Sequence, residues 1–292
     1  MTTRKLAIHA GLFAASCVTT YFAGGPYFAG TLMTILVCHE AGHYLVGRRH
    51  GVPVSLPYFI PLPPQISLGT LGAVISMAEP IKDRNKLFDV GAAGPLAGMV
   101  VAIPLLVIGL QLSEVGPPGP DSVIEGNSIL YALLKLAVFG RWLPADGVDV
   151  QLHPMAFAAW VGFLVTMINL LPLGQLDGGH VARAALGQSH ERWSLRLHVV
   201  LPIIGLVVGT VMLIAALDAG RDLLGALRYA SYGVIPWTIW AILIAAMKRQ
   251  GDGEYHPAVG DEPLAPSRRR AAILVLVVFL LIATPVPFRP VL

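Results

Sequence analysis

Hydrophobic residues in this chain fall into seven runs, each close to the 20 residues a helix needs to cross a bilayer. They lie at approximately 6–23, 28–47, 88–112, 154–176, 197–217, 231–247 and 271–288. The predicted fold class is a polytopic α-helical membrane protein with about seven transmembrane helices. Between the second and third runs, VPVSLPYFIPLPPQ (52–65) holds too many prolines for a spanning helix. ISLGTLGAVISM (66–77) then alternates and is rich in glycine and β-branched residues, which predicts strands; a plain cytoplasmic loop is the alternative. From Asn127 to Gly140 the chain is apolar apart from Lys135, and 14 residues are too few to span. That stretch is read as an interfacial or outer-loop helix.

Composition agrees that lipid is the solvent. Mean hydropathy is +0.70 and 13% of residues are charged, about half the share of a soluble domain. The length of 292 residues would suit two soluble domains, but seven runs favour one integral membrane domain over 1–292. Within it, 113–153 is an outer loop, 248–270 a cytoplasmic linker and 271–288 the last span. MTTRK followed by an apolar run ending in AASC resembles a lipoprotein signal. Ala14 stands where such a cleavage site wants a larger aliphatic residue, so an uncleaved first span is expected. Cys17 and Cys38 both fall inside spans, which excludes a disulfide framework or a CxxC metal site.

Charge sets the orientation. With the N-terminus in the cytoplasm, 15 of the 20 Lys and Arg residues lie on the cytoplasmic side, and only Lys135, Arg141, Arg221, Arg228 and Arg289 lie outside. That is the bias of the positive-inside rule. The expected location is a bacterial inner or cell membrane. Despite the pI of 9.0, the basic residues line the membrane edge and form no single patch, which excludes nucleic acid as a partner.

Chemistry enters with HEAGH, residues 39–43, inside the second run. An ionised residue at the centre of a spanning helix costs about 2.5–3.5 kcal/mol on insertion scales, so three titratable groups within a turn need a compensating interaction. His39 and His43 share a helix face about 6 Å apart along the axis, so both imidazoles can reach one metal ion. Glu40, offset by one position, stands where a zinc peptidase places its general base. A pair of core histidines bonded to backbone carbonyls is the plainer alternative. Gly47 and His50 fall one residue late for the extended HExxHxxGxxH form, so His50 is read as a cytoplasmic-edge residue and not a ligand.

The candidate third ligand lies 134 residues after His43, in NLLPLGQLDGGH (169–180). Here Pro172 and Gly174 interrupt the fourth run before Asp177. Unpaired backbone at membrane depth is tolerated only where it lines a cavity or is buried in protein, and a carboxylate after such a break is a functional candidate. The second and fourth runs cross in the same direction, which brings Asp177 to the cytoplasmic half near His39 and His43. Two histidines and a carboxylate leave a fourth tetrahedral position open.

These residues resemble the site-2 proteases, intramembrane zinc metalloproteases marked by HExxH in one span and N-x-x-P-x-x-x-x-D-G in a later one. The chain gives His39-Glu40-Ala41-Gly42-His43 and Asn169-Leu170-Leu171-Pro172 running to Asp177-Gly178, and the likeness covers the core from about 28 to 190. The resemblance implies one zinc on His39, His43 and Asp177, with Glu40 as general base. It also implies a role for Asn169 in holding the substrate backbone or the oxyanion; an Asn in a broken helix has the simpler alternative of capping freed backbone groups. PYFIP and LGTLGA resemble the family's membrane-dipping hairpin, whose edge would hold a substrate extended by strand addition. The implied activity is endoproteolysis within transmembrane segments of single-span proteins already trimmed outside, such as an anti-sigma factor or membrane-tethered regulator.

GAAGPLAG (91–98) is read as small-residue helix packing, with Gly94 and Gly98 at GxxxG spacing and no chemistry of their own. Asp89 is expected to be interfacial, and His180 to support the site rather than replace a ligand. Two other classes stand beside the protease: a catalytically inactive, metal-binding membrane regulator, which has no need of Glu40, and a transporter, which would leave HEAGH unexplained.

Overall fold

A computed structural model describes residues 3–65, 67–77, 79–119, 122–250 and 253–291. The first two runs form one helix, α1 (Thr3–Arg49), broken at Gly25, where φ is 77° and Pro26 follows. Both residues suit a break: glycine tolerates positive φ, and proline removes a backbone donor. A straight helix would put His9 and Gly47 about 57 Å apart. Instead both reach one loop, since His9 Nδ1 donates to the Pro57 carbonyl at 3.0 Å and Gly47 abuts Val54. The limbs 3–24 and 26–49 therefore fold back on each other.

The strands expected between the second and third runs are present. β1 (Tyr58–Pro61) and β2 (Thr70–Val74) pair antiparallel, with Tyr58 opposite Val74 and Phe59 opposite Ala73. Gly69 at the hairpin lies against the backbone of Thr19 and Thr20. Leu68 and Leu71 share a cavity with Leu32, about 22 Å along the helix from Gly47, so the hairpin reaches deep along α1.

α2 (Arg84–Gln111) starts at Asp83, whose side chain accepts from the backbone N–H of Asn85 and Lys86, a helix N-cap. The segment read as an outer loop is a folded cap. It consists of β3 (Glu114–Gly116), β4 (Val123–Glu125), α3 (Ile129–Phe139) and β5 (Asp149–Gln151), with β3 and β5 paired. The helix expected around Lys135 is α3. Its lysine is fully buried and donates to Asp149 Oδ1 at 3.1 Å, so the charge that broke the apolar run is neutralised inside the cap.

α4 (Pro154–Asn169) ends seven residues before the expected limit of 176. Residues 170–176 are not helical, and α5 (Asp177–Leu186) restarts the helix at the aspartate. α6 (His190–Asp218) and α7 (Leu223–Gln250) both begin earlier than their apolar runs: α6 opens on the polar His190-Glu191-Arg192, and Arg228 separates the first apolar turn of α7 from the run that follows. α8 (Pro266–Ile282) stops six residues short of the expected 288. Pro285 and Pro287 follow, and neither can continue a helix. β6 (Phe288–Pro290) pairs with β4.

Among the described residues, four helical stretches are long and apolar enough to cross a bilayer: Thr3–Arg49, Arg84–Gln111, Asp177–Asp218 and Leu223–Arg249. α4 and α8, at 16 and 17 residues, are shorter. Buried side chains of α1, α2 and α4 form the main core, and α6 pairs with α7 beside it. Leu206, Ile242 and Ile273 are each 60–64% exposed on the outer helices, an apolar surface of the kind lipid covers.

Candidate active site

The second limb of α1 lies along α2 because glycines let the backbones approach. Gly42 faces the Ala93 carbonyl so closely that a Cβ there would collide with it. Gly94 faces the His43 ring with the same lack of room, and a Cβ on Gly98 would sit 3.3 Å from His39 Cβ. The stripe read as helix packing is thus also the wall behind both histidines. Its spacing was visible in the sequence, but what it faced was not.

The geometry brings His39, His43 and Asp177 together. His39 Nε2 lies 3.1 Å from His43 Nε2 and 3.1 Å from Asp177 Oδ2, and His43 Nε2 lies 3.2 Å from Asp177 Oδ1. One ligand atom from each of the three falls within 4.8 Å of the others, and this is the one such cluster among the described residues. His43 Nδ1 donates to the Val90 carbonyl at 2.7 Å. A neutral His43 ring therefore keeps its proton there and turns a bare Nε2 to the cluster. With neutral rings, at most one proton lies among two nitrogens and two carboxylate oxygens. A cation suits that arrangement, and two imidazoles with one carboxylate form a zinc-type donor set. Val90, which fixes the tautomer through its backbone, carries no side-chain signal that sequence reading could have used.

Glu40 is buried beside the cluster, and its Oε2 has no hydrogen-bond partner among the described residues. His39, Glu40, His43, Asn169, Asp177 and His180 line one cavity of about 190 Å³, which strand β2 borders through Ala73 and Val74. Asn169 is the last residue of α4 and its side chain makes no hydrogen bond within the described residues, so it does not cap the freed backbone.

The DGG sequence has a steric reason. A Cβ on Gly178 would collide with the Leu170 carbonyl, and one on Gly179 with the Gly174 carbonyl. The broken segment folds so tightly over the start of α5 that only glycine fits behind Asp177. His50 stands apart from the cluster, where its Nε2 meets Asp89 Oδ2 at 2.8 Å. Asp89 also receives two hydrogen bonds from Arg268, at 2.7 and 2.6 Å. This clamp ties α1, α2 and α8 at one end of the bundle. His180 Nδ1 lies 2.7 Å from His256 Nε2. His256, in the linker, had no sequence motif to single it out.

The three candidate ligands and the buried carboxylate of Glu40 thus sit together inside an apolar helical bundle. The family model described as peptidase family M50 matches residues 27–214. The chain belongs to this family, the site-2 proteases. It is 29% identical, over 88% of its length and 39% of the relative's, to "Probable zinc metalloprotease EGY1, chloroplastic" of Oryza sativa subsp. japonica. It is 34% identical to the protein of the same name from Arabidopsis thaliana, over 54% of this chain and 29% of that one. With "Probable zinc metallopeptidase EGY3, chloroplastic" of Arabidopsis thaliana the identity is 30%, over 56% and 30% of the two chains. The chain thus spans well under half the length of these curated relatives. No solved structure matches it.

Proposed function

We propose that the chain is a zinc-dependent intramembrane endopeptidase that cuts transmembrane segments of single-span membrane proteins. The observation that carries this reading is the convergence of His39, His43 and Asp177 beside the buried Glu40, whose Oε2 has no partner among the described residues, in helices with apolar outer faces. Zinc held by the three ligands would supply Lewis-acid activation of water and of the scissile carbonyl. Glu40 accepts the proton of the attacking water and delivers it to the leaving amine. Asn169, whose side chain makes no hydrogen bond among the described residues, donates to the substrate backbone or to the developing oxyanion. A helical peptide bond is shielded, so the substrate must unwind first. Among the described residues β2 is paired on one side only, to β1, which supports strand addition by the unwound segment. Cavities of about 340 and 140 Å³ share Leu71, Ile168 and Trp240, and the second shares Asn169 with the catalytic cavity. Together they form an apolar approach from the lipid side.

The reading includes seven crossings with the N-terminus cytoplasmic. Contacts at both ends of α8 support the crossings: Arg268 bonds Asp89 near the start of α2, while β6 pairs with β4 in the cap. α6 and α7 likewise connect the Tyr255 region, through His198 and Lys248, to the β6 end, through Arg221 and the Val291 carbonyl. Reporter fusions at Arg49, Lys86, Arg192 and Gln250 are expected to read cytoplasmic, and those at Pro118 and Arg221 outside. A cytoplasmic signal at Pro118 would overturn the orientation. The relatives are chloroplast proteins by name, so they lend no support to a bacterial membrane; the side is argued from charge alone.

A prior outer cut, and an anti-sigma factor or membrane-tethered regulator as substrate, rest on the family resemblance. Cleavage should favour spans containing Gly, Pro or Asn, which lower the cost of leaving the helix. The test is reconstitution in liposomes with single-span substrates, mapping cuts by mass spectrometry alongside zinc content. One zinc per chain and cuts in or next to the span are expected, and leucine in place of the helix-breaking residues should slow cleavage. Cuts confined to distant soluble loops would sink the reading. Full zinc occupancy in Asp177→Ala would remove Asp177 from the ligand set.

A further inference from the structure

We infer that His256 is a positioning residue: it fixes the tautomer of His180, so that His180 turns a bare Nε2 into the catalytic cavity as a hydrogen-bond acceptor for an N–H or O–H of the reacting complex. The inference rests on that cavity being the site of peptide cleavage, and it brings into the site a residue outside the 27–214 family match.

A chain of hydrogen bonds gives the direction. His256 Nδ1 lies 2.8 Å from the Pro257 carbonyl, which can only accept, so Nδ1 carries a proton. Burial, reinforced by the nearby Arg183 charge, lowers the His256 pKa to about 4, against a bonus from the Pro257 hydrogen bond. The ring is therefore neutral near pH 7 and its Nε2 is bare. His180 Nδ1 must then donate across the 2.7 Å contact to His256 Nε2. With one proton on the His180 ring, its Nε2 is bare as well. His180 lines the catalytic cavity, and its Nε2 has no partner among the described residues and is not sealed off by its neighbours. It is open to that cavity.

The linker segment that brings His256 is itself anchored. Tyr255 N donates to Glu191 Oε1 at 3.0 Å, the Tyr255 hydroxyl meets His198 Nδ1 at 2.8 Å, and Gly260 N donates to the Lys82 carbonyl at 2.8 Å. These contacts hold the linker against α6 and the approach to α2. His256 is thus delivered with a fixed ring, as a supporting hydrogen-bond partner must be. His180 sits one turn beyond Asp177 on α5 and outside the three-residue ligand cluster, so its acceptor is available to substrate or water.

The test uses full-length protein labelled with ¹⁵N-histidine, with the His180 signals assigned by their loss in His180→Gln. The wild type is expected to show the Nδ1–H tautomer. His256→Leu should move His180 toward the Nε2–H form and cut cleavage about ten-fold with zinc content unchanged, the usual scale for a lost supporting partner. His256→Gln, which keeps an acceptor near the Nε2 position, should recover most of both. A rise in KM alone would identify a substrate amide as the donor, and a fall in kcat alone the attacking water. Should His256→Leu fail to fold, His180→Gln against His180→Leu decides, since only glutamine keeps an acceptor where Nε2 stood. An Nε2–H tautomer in the wild type, or His256→Leu with tautomer and cleavage both unchanged, would overturn the inference. A wild type that shows the Nδ1–H form but cleaves nothing would defeat the protease reading instead.

Discussion

Glu40→Gln is expected to bind zinc in the wild-type amount and to lose peptide hydrolysis by about 10²–10⁴-fold, the usual weight of a positioned general base. Glutamine keeps the shape of the side chain but cannot take a proton from water at neutral pH. The metal cluster does not include Glu40, so occupancy should survive. Stability should not fall either. Glu40 is buried with Oε2 unpartnered, and an unpaired carboxylate oxygen in an apolar interior is costly; exchanging it for an amide should hold Tm or raise it. A gain or tie in stability with loss of activity is the pattern of a residue kept for chemistry. Metal analysis, a melting curve and product quantification on one preparation provide the check. An inactive metal-binding regulator predicts no cleavage by the wild type and so none to lose, and undiminished cleavage would remove Glu40 from the mechanism.

Periodicity and hydropathy made the bundle legible because lipid leaves a chain few options: long apolar runs must be helices that satisfy their own backbone. The same rule made Pro172 and Gly174 readable as a break and Asp177 as its consequence. HEAGH was legible because three polar residues at helical spacing have no bland place in such a run. What stayed hidden was set by tertiary contact. The last run was carried to 288 by hydropathy, which cannot tell an apolar helix end from an apolar strand, and β6 exists only because β4 is there to pair with it. The 113–153 segment reads as a loop because its strands are three residues each, too short for an alternation signal. Asn169 was visible, but its lack of a hydrogen-bond partner among the described residues follows from where the end of α4 lies in space, which no local pattern encodes. His256 and the Val90 carbonyl act through positions to which no motif points.

Gly94→Ala is expected to cost more than its size suggests: zinc affinity should fall by about 100-fold, the upper end for a lost supporting contact, and cleavage with it. The His43 ring lies across α2, with Nδ1 held by the Val90 carbonyl at 2.7 Å, while Gly94, one turn further along, leaves room for Nε2. A methyl at position 94 would occupy the space of the imidazole itself. The ring would have to abandon either the Val90 bond or the alignment of Nε2 with His39 and Asp177. Gly98→Ala is the internal control, because its Cβ would stand 3.3 Å from His39 Cβ and 3.4 Å from His39 Nδ1, so a shift of a few tenths of an ångström accommodates it. Helix propensity favours both substitutions by about 1 kcal/mol, so weaker zinc binding in Gly94→Ala cannot be blamed on a poorer α2 if the metal-free protein melts no lower. The two variants therefore rank by what each glycine faces, Gly94 far worse than Gly98. Equal zinc affinity in both would mean that the stripe only packs helices, as its sequence spacing alone suggests.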